Sequence, residues 1–426
     1  MPLRITDLQA TEILDSRGRP TLAVLLDLSD GTRARAGVPS GASTGTREAV
    51  ELRDGDPARY GGAGVTRAVG HVNGEIREAL RERPFADLAA LDQALIELDG
   101  TENKSRLGAN ALVGVSIAAA RALALSRNTP LWQSLAPDGV GPRLPIPHFN
   151  VLNGGAHAAN RLDFQEFMIA PLGAPGLPDA VRTGAEIYAA LRRDLAAAGH
   201  NTGLGDEGGF APDVAEPEYA LRLLVSAIHD AGYQTGRDQV AIALDPAAST
   251  FRQADGTYLV NGQALTSDAM IDRYEHIIDE FPVYSIEDAL GEDDHDGWQR
   301  LTERLGERVQ LVGDDNFVTN PAIIRAAIAD KIANAALIKV NQIGTVTETL
   351  EALAVCREAG YAAMISHRSG ETDDTFIADL AVASGCGQIK TGAPARGERV
   401  AKYNRLLEIA HTNPDLPYGP DSGASA

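Results

Sequence analysis

Three carboxylates fall at the ends of three successive apolar runs. Asp245 closes AIALD, Glu287 sits at the end of VYSIE, and Asp314 ends the run that begins at Val309. If these runs are strands of one sheet, the charges converge, and buried ionised carboxylates repel strongly enough to force protonation. A bound divalent cation removes that conflict. Ligation by oxygen alone, without Cys or His, points to Mg²⁺ or Mn²⁺ and away from zinc. Strand-end acids often only cap the next helix, a reading that suits one such Asp better than three in consecutive units. Lys339 takes the equivalent place in the next unit, at the end of ALIK. A lysine inside an apolar strand is costly unless paired or functional. Near a cation its pKa would fall, leaving an amine able to abstract a proton. The other reading, a lysine that only neutralises the carboxylates, stays open on these residues alone. Lys390, in QIKTGAP, raises the same question.

Further polar residues accompany these. Glu166 lies in QEFMI and Glu207 in GDEGGF, where glycines at 203, 205, 208 and 209 would let the backbone fold closely around a small ligand. A carboxylic acid opposite a lysine base would be the group that protonates a leaving group. Ser366, His367, Arg368, Ser369 and Gly370 join a guanidinium, two hydroxyls and a glycine after a strand, a combination suited to phosphate. In isolation SHRS reads more readily as a surface loop with an Arg salt bridge. His157 follows paired glycines in NGGAHAAN, and a lone histidine there is ordinarily structural. Gly41-Ala42-Ser43-Thr44-Gly45 matches the G-x-S-x-G nucleophile elbow. The elbow needs a strand before it and a helix directly after, and this segment precedes the main repeat in a run of small residues. It reads as a flexible lid whose hydroxyls reach a metal or ligand. No GK[ST] follows, so it is not a P-loop.

The elements that must position these groups follow from spacing. Apolar runs recur at 165–169, 205–207, 241–245, 283–288, 309–315, 336–339, 363–367 and 388–390, with helical patterns between them. From Glu287 to Asp314 is 27 residues, from Asp314 to Lys339 25, and from Lys339 to Ser366 27, about what a strand, a loop and a helix need. Polar residues end almost every run, which favours a parallel α/β barrel with one shared mouth over an open sheet with one switch point. Before the barrel, Thr21 to Leu28, an Asp30-Gly31 turn and Ala34 to Val38 predict a hairpin, and helical spacing runs from about Val65 to Leu125. Residues 136–147 carry four prolines and two glycines and read as a linker. Two domains are therefore expected, an N-terminal α+β cap over 1–135 and the barrel over 136–426.

The net charge of −21 argues against nucleic acid or an anionic membrane as main partner. The opening segment has no apolar core of the kind a secretion signal carries. The most apolar stretch, Ala109 to Leu125, contains Asn110 and Arg121, is shorter than a membrane span and reads as a buried helix. Cys356 and Cys386 form no CxxC and suit a reducing compartment. A cytoplasmic protein without a membrane span is expected.

The ordered blocks ILDSRG, VPSGASTG, LGANA, LNGGAHA, QEFMIAP, GDEGGFAP, SIED, GDD followed by FVTN, KVNQIGT, SHRSGET and QIKTGAPARGER resemble the enolase family from about residue 5 to residue 410. The resemblance implies a small α+β N-terminal domain followed by an eightfold enolase-type α/β (TIM-like) barrel, assembled as a dimer or a ring of dimers. It implies reversible dehydration of 2-phosphoglycerate to phosphoenolpyruvate, with two Mg²⁺ per site. By resemblance, Asp245, Glu287 and Asp314 hold the first ion, and Ser43 belongs to a second that arrives with substrate. Lys339 removes the carbon-bound proton, and Glu207, supported by Glu166, helps the hydroxyl leave. Arg368 and Ser369 contact phosphate, with Ser366 and His367 beside them in the same motif. His157 and Lys390 contact substrate, Lys390 toward the carboxylate.

The chain departs from the family pattern at Ala289–His295, where His295 replaces a tryptophan, at Asn316 in place of Leu, and at Arg161–Asp163. Ala23 and Glu408 replace a Glu and an Arg associated with subunit contact. The changes at Asn316, His295 and Arg161 motivate an alternative, an enolase-like enzyme of phosphonate antibiotic synthesis forming carboxyphosphonoenolpyruvate from phosphonoformate and a phosphoglycerate or phosphoenolpyruvate substrate. A third reading is a non-catalytic binding protein at the cell surface, reached without a signal peptide, or in an RNA-processing complex.

Overall fold

A computed structural model describes residues 3–42 and 44–420. Strands β1 (Leu3–Leu14), β2 (Pro20–Leu28) and β3 (Arg33–Gly37) form an antiparallel meander, and the short β4 (Pro84–Phe85) pairs with the free edge of β1. The Asp30-Gly31 turn is where the sequence places it, with Gly31 at φ 86°, a conformation that favours glycine. Helix Ala109–Ser126 crosses this sheet. It packs closely because Gly114 has no side chain: a Cβ there would lie 2.7 Å from Val24 Cγ2. Among the described residues it is the one helix long and apolar enough to cross a membrane, and 78% of it is buried inside the protein.

The remaining chain builds a closed eight-stranded barrel from β5 (Ile146–Asn153), β6 (Glu166–Ala170), β7 (Ala241–Asp245), β10 (Val283–Glu287), β11 (Gln310–Gly313), β12 (Ala335–Ile338), β13 (Ala362–Ser366) and β14 (Gln388–Lys390). The strands β8 (Tyr258–Val260) and β9 (Gln263–Leu265) make a small hairpin outside it. Helices pack around the outside with the caps their sequences provide. Thr266 accepts from Ala269 N, Asp294 from Gly297 N and Thr345 from Glu348 N, each meeting a donor the first helical turn leaves unpaired.

The barrel differs from the expected pattern in three places. It is not wholly parallel: β6 runs antiparallel to both β5 and β7. A reversed strand begins where its neighbours end, so Glu166, its first residue, pairs across to Asn153 and Asp245 at the same rim. Secondly, 205–207 is not a strand but part of an irregular loop pinned by bridges from Phe210 to Leu152 and Leu204. Its glycines close on the protein itself, since a Cβ at Gly209 would meet Asn153 Oδ1 at 2.4 Å. Thirdly, β5 begins inside the segment read as linker. Pro147 is admitted to this strand, where it pairs with Ile389 of β14.

Below the mouth the barrel interior is polar in places. Gln310 and Gln388 exchange amide hydrogen bonds at 3.0 and 2.9 Å, and His148 sits with Nε2 against the Tyr284 hydroxyl. Burial pushes the His148 pKa down to about 4. Between pH 6.5 and 4 the unfolded chain therefore binds a proton that the folded chain refuses, and stability falls as pH drops through that window. The loss approaches about 3 kcal/mol at the acid end. His148→Gln is expected to remove this contribution, so the stability gap between wild type and variant changes by about that amount between pH 7 and 4 in denaturant titrations. Gaps that stay parallel across the window would contradict it.

Candidate active site

The strand ends deliver their charges to one place. Lys390, closing β14, lies with Nζ 2.9 Å from Asp245 Oδ2, 2.8 and 2.9 Å from the two oxygens of Glu287, and 3.2 Å from Glu166 Oε2. All four side chains are buried. Burial alone would pull the ammonium down, but Asp245, Glu166 and Glu287 outweigh it and hold Lys390 well above the ordinary range. Burial pushes Glu287 up, and the neighbouring Asp245 charge adds to this. Asp314, directly after β11, pairs through Oδ2 with Lys339 Nζ. Burial works upward on Asp314 too, and the charge and hydrogen bond of Lys339 prevail, leaving it below the usual carboxylate range. Among the chain's own groups Lys339 is raised. Burial acts to depress it, and Asp314 overcomes the effect.

The donors suit a hard divalent cation. Asp245, Glu287 and Asp314 stand at the ends of β7, β10 and β11, which are adjacent in the barrel, and offer only carboxylate oxygen. Among the described residues, His157 with Glu166 and Glu207, and Asp288 with Asp314 and Asp315, each bring one ligand atom per residue inside 4.8 Å of the others. Asp245 and Glu287 are joined through the Lys390 ammonium instead. Asp288, which the sequence reading did not assign, accepts from the backbone N–H of Asp314 at 2.9 Å and of Asp315 at 3.1 Å, and so fixes the turn that presents Asp314. Ser43 lies outside the described residues.

Beside Lys390 sits a carboxyl pair, Glu166 and Glu207. His157 Nδ1 is 3.6 Å from Glu166 Oε1 and 3.8 Å from Glu207 Oε1, while its Nε2 meets Ser369 Oγ at 3.0 Å. Burial raises Glu166 well above the usual range, and the charge of Glu207 adds to it. Glu207 resists its own burial because His367 and His157 flank it, and it is held well below the range. The pair therefore keeps its proton on Glu166. Asn150 of β5 donates to Glu207 Oε2 at 2.9 Å, and His367 Nε2 lies 3.1 Å from the same oxygen.

Arg399 sets the state of His367. Fully buried on helix Gly397–Thr412, it places Nη1 2.6 Å from His367 Nδ1 and also donates to the carbonyls of Arg368 and Ser369. A guanidinium can only donate, so Nδ1 must offer its lone pair and the ring proton sits on Nε2, facing Glu207. Burial holds the His367 pKa down at about 4, and the nearby Arg399 charge adds to this against the pull of Glu207.

The N-terminal segments cover the mouth. Arg368 donates to both oxygens of Glu48, at 3.0 and 3.1 Å, and to Asn341 Oδ1 at 3.0 Å. Gly41 lies against this guanidinium so closely that a Cβ would come within 2.0 Å of Nη2, which accounts for a glycine in SGASTG. Arg17, from ILDSRG, pairs with Asp15 at 3.1 Å and donates to the carbonyls of Ser40 and Gly41 at 3.2 Å. Ser366 spends its hydroxyl on the His367 carbonyl at 3.0 Å.

One cavity is lined by His157, Glu166, Glu207, Asp245, Lys339, Ser366, His367, Arg368, Ser369 and Lys390, all named from the sequence, together with Gln165. Glu287 and Asp314 stand behind it on the two lysines. Residues that the sequence reading left without a role are Glu48, Asn150, Asp288, Gln342 and Arg399. Asp288, Gln342 and Arg399 stood inside the motifs SIED, KVNQIGT and GER, which was the available signal. The departures lie mostly away from the cavity. Arg161 is exposed and pairs with Asp213 at 2.9 Å, and His295 is exposed and meets Asp330 at 3.1 Å. Asn316 is buried, its amide has no partner among the described residues, and nothing in the structure explains the substitution. Ala23 is buried within β2, and Glu408 is exposed beside Arg405 at 3.4 Å.

The sequence matches the family model for the enolase N-terminal domain over residues 5–135 and that for the enolase C-terminal TIM barrel domain over residues 142–415. The enolase of Rubrobacter xylanophilus is 56% identical over 422 residues, covering 99% of this chain and 97% of that protein. With a closed barrel and an acid–lysine mouth, the chain is an enzyme of the hydro-lyase class. It belongs to the enolase family. That family generally uses Mg²⁺, and the acidic side chains of the mouth are the groups able to hold it.

Proposed function

We propose that this chain interconverts 2-phosphoglycerate and phosphoenolpyruvate at this mouth. The observation that carries the reading is the single cavity in which a lysine, a proton-holding carboxyl pair and an arginine face one another. A proton next to a carboxylate is very weakly acidic, so the reaction needs a placed base and strong stabilisation of the resulting dianion. With Asp314 engaged by a cation, Lys339 would lose the partner that holds it protonated and, as the neutral amine, take the C2 proton, the electron pair moving into the substrate carboxylate to give an enediolate. That pair then returns to form the C2–C3 double bond as the C3 hydroxyl departs. Glu207 passes on the proton that turns this hydroxyl into water, taking it from Glu166, where the carboxyl pair holds it. Asp245, Glu287 and Asp314 would hold Mg²⁺, which would supply positive charge against the dianion. Arg368 and Ser369 hold the phosphate, Ser366 and His367 shape that wall, and His157 and Lys390 orient the remainder, Lys390 toward the carboxylate.

The finer features belong to the same reading. They are two Mg²⁺ per site, the second arriving with substrate near Ser43, a homo-oligomer in the form of a dimer or a ring of dimers, and a cytoplasmic location. A division into a cap over 1–135 and a barrel over 136–426 completes it, supported by the four-stranded sheet preceding and the barrel strands following that point. The family relationship supports the hydratase reaction. The phosphonate alternative draws no support from the relative, and two of its three motivating departures, Arg161 and His295, are exposed. The test is Mg²⁺-dependent growth of the enol absorbance from 2-phosphoglycerate alone. Turnover only when phosphonoformate is added, by folded and Mg²⁺-supplied protein, would overturn the reading.

A further inference from the structure

Gln342 touches both halves of the machinery without lining the cavity. It is 1% exposed, on the one-turn helix Val340–Ile343 that directly follows Lys339. Its Nε2 donates to Asp314 Oδ1 at 2.8 Å and to Glu48 Oε1 at 3.3 Å. Its Oε1 accepts from the Thr319 hydroxyl at 2.7 Å, and Thr319 Oγ1 in turn accepts from the Lys339 backbone N–H at 2.9 Å. Its carbonyl takes the N–H of Ala49, at 2.8 Å, from the segment that crosses the mouth.

The polarity of these bonds leaves little freedom. Asp314 and Glu48 require a donor, while the Thr319 hydroxyl, committed to Lys339 as acceptor, requires an acceptor from its partner. A primary amide is the side chain that meets both demands at once. The protein accepts strain to present Thr319 this way: Val318 and Thr319 both take positive φ, 44° and 56°, unfavourable for β-branched residues. With Gln342 on Oδ1 and Lys339 on Oδ2, the Asp314 carboxylate has one orientation. With Gln342 and Arg368 both on Glu48, the mouth-crossing segment is tied to the same carboxylate.

We infer that Gln342 is a positioning residue: its amide couples the seating of the Glu48–Arg368 pair to the orientation of Asp314 and Lys339. This rests on the reading of Asp314 as a metal ligand and Lys339 as the base. Losing such an outer partner typically weakens metal affinity or activity about 10- to 100-fold. Gln342→Met keeps the volume and removes all three side-chain hydrogen bonds. In the folded full-length protein, Mg²⁺ affinity by titration calorimetry without substrate is expected to fall by about 10-fold or more, with kcat lowered and KM raised. Gln342→Glu is expected to be worse than Gln342→Met, since it sets a third carboxylate against Asp314 and Glu48. A filler role in packing would instead leave Mg²⁺ affinity unmoved. Glu48→Gln combined with Gln342→Met is expected to cost less than the two single losses multiplied, because both break one connection. If Gln342→Met does not fold, Thr319→Val removes only the hydroxyl and is expected to lower kcat and Mg²⁺ affinity in the same direction. Mg²⁺ affinity and both kinetic constants within twofold of wild type, in a folded variant, would overturn the inference. Wild-type protein that binds Mg²⁺ but ignores 2-phosphoglycerate would instead overturn the function proposed above.

Discussion

Lys339→Ala is expected to lower turnover of 2-phosphoglycerate by about 10³-fold or more, equivalent to roughly 4 kcal/mol of barrier. The lysine is buried at the end of β12, and its amine has Asp314 as immediate partner. Among the described residues no other amine is placed to replace it, since Lys390 is committed to Asp245, Glu287 and Glu166. The loss should fall mainly on kcat, because the base acts on the proton in flight and contributes little to substrate binding. Mg²⁺ binding should survive, since Asp314 keeps its hydrogen bond from Gln342. A variant retaining more than a tenth of wild-type kcat would show that Lys339 only neutralises the carboxylates.

Lys390→Ala should act on stability as strongly as on activity. Its ammonium is the counter-ion shared by three buried carboxylates, Asp245, Glu166 and Glu287. Removing one partner of a buried ion cluster costs about 3–5 kcal/mol, because the remaining charges are left unpaired in a poorly solvated place. The folded variant should relieve this by protonating carboxylates, so its deficit is expected to shrink as pH falls below neutrality. Mg²⁺ in the millimolar range should also shrink the deficit, because a cation bound only by the folded state stabilises that state. Denaturant unfolding at two pH values, with and without Mg²⁺, reads both effects. A deficit below about 1 kcal/mol, or one indifferent to pH and Mg²⁺, would show that Lys390 is not the charge balance of the mouth.

Much of this site can be read from the chain because its groups sit at strand ends. Asp245, Glu287, Asp314, Lys339, Ser366 and Lys390 each close or directly follow a short apolar run, and the barrel brings such positions to one rim. Where this rule does not apply, reading along the chain falters. Glu166 begins its strand, and it reaches the mouth only because β6 is reversed, a pairing choice that local apolar pattern does not encode. Glu207 rides a loop whose form depends on glycines packed against Asn153, a contact made at long range. The missed start of β5 has a simpler cause, because prolines at 145 and 147 look like breakers, yet Pro147 pairs with Ile389 inside the barrel.

Charge states were less legible than positions. A depressed Lys339 assumed a neighbouring cation, whereas within the chain Asp314 holds the amine protonated. The same holds for the carboxyl pair, where the histidines on either side of Glu207 leave the proton on Glu166. Arg399 shows the opposite limit. It stands in a recognisable motif, yet its control of the His367 tautomer follows only from a contact between helix Gly397–Thr412 and the loop after β13.

The central claim is a division of labour, with Lys339 as base and Glu207 as acid around one substrate. Exchange of the C2 hydrogen of 2-phosphoglycerate with deuterated solvent, followed by NMR in the presence of Mg²⁺, separates these steps. Glu207→Gln is expected to keep exchange near the wild-type rate while dehydration falls by about 10²-fold or more. Lys339→Ala is expected to lose exchange and dehydration together. Exchange that persists in Lys339→Ala, or that disappears in a folded Glu207→Gln able to bind Mg²⁺, would contradict the assignment.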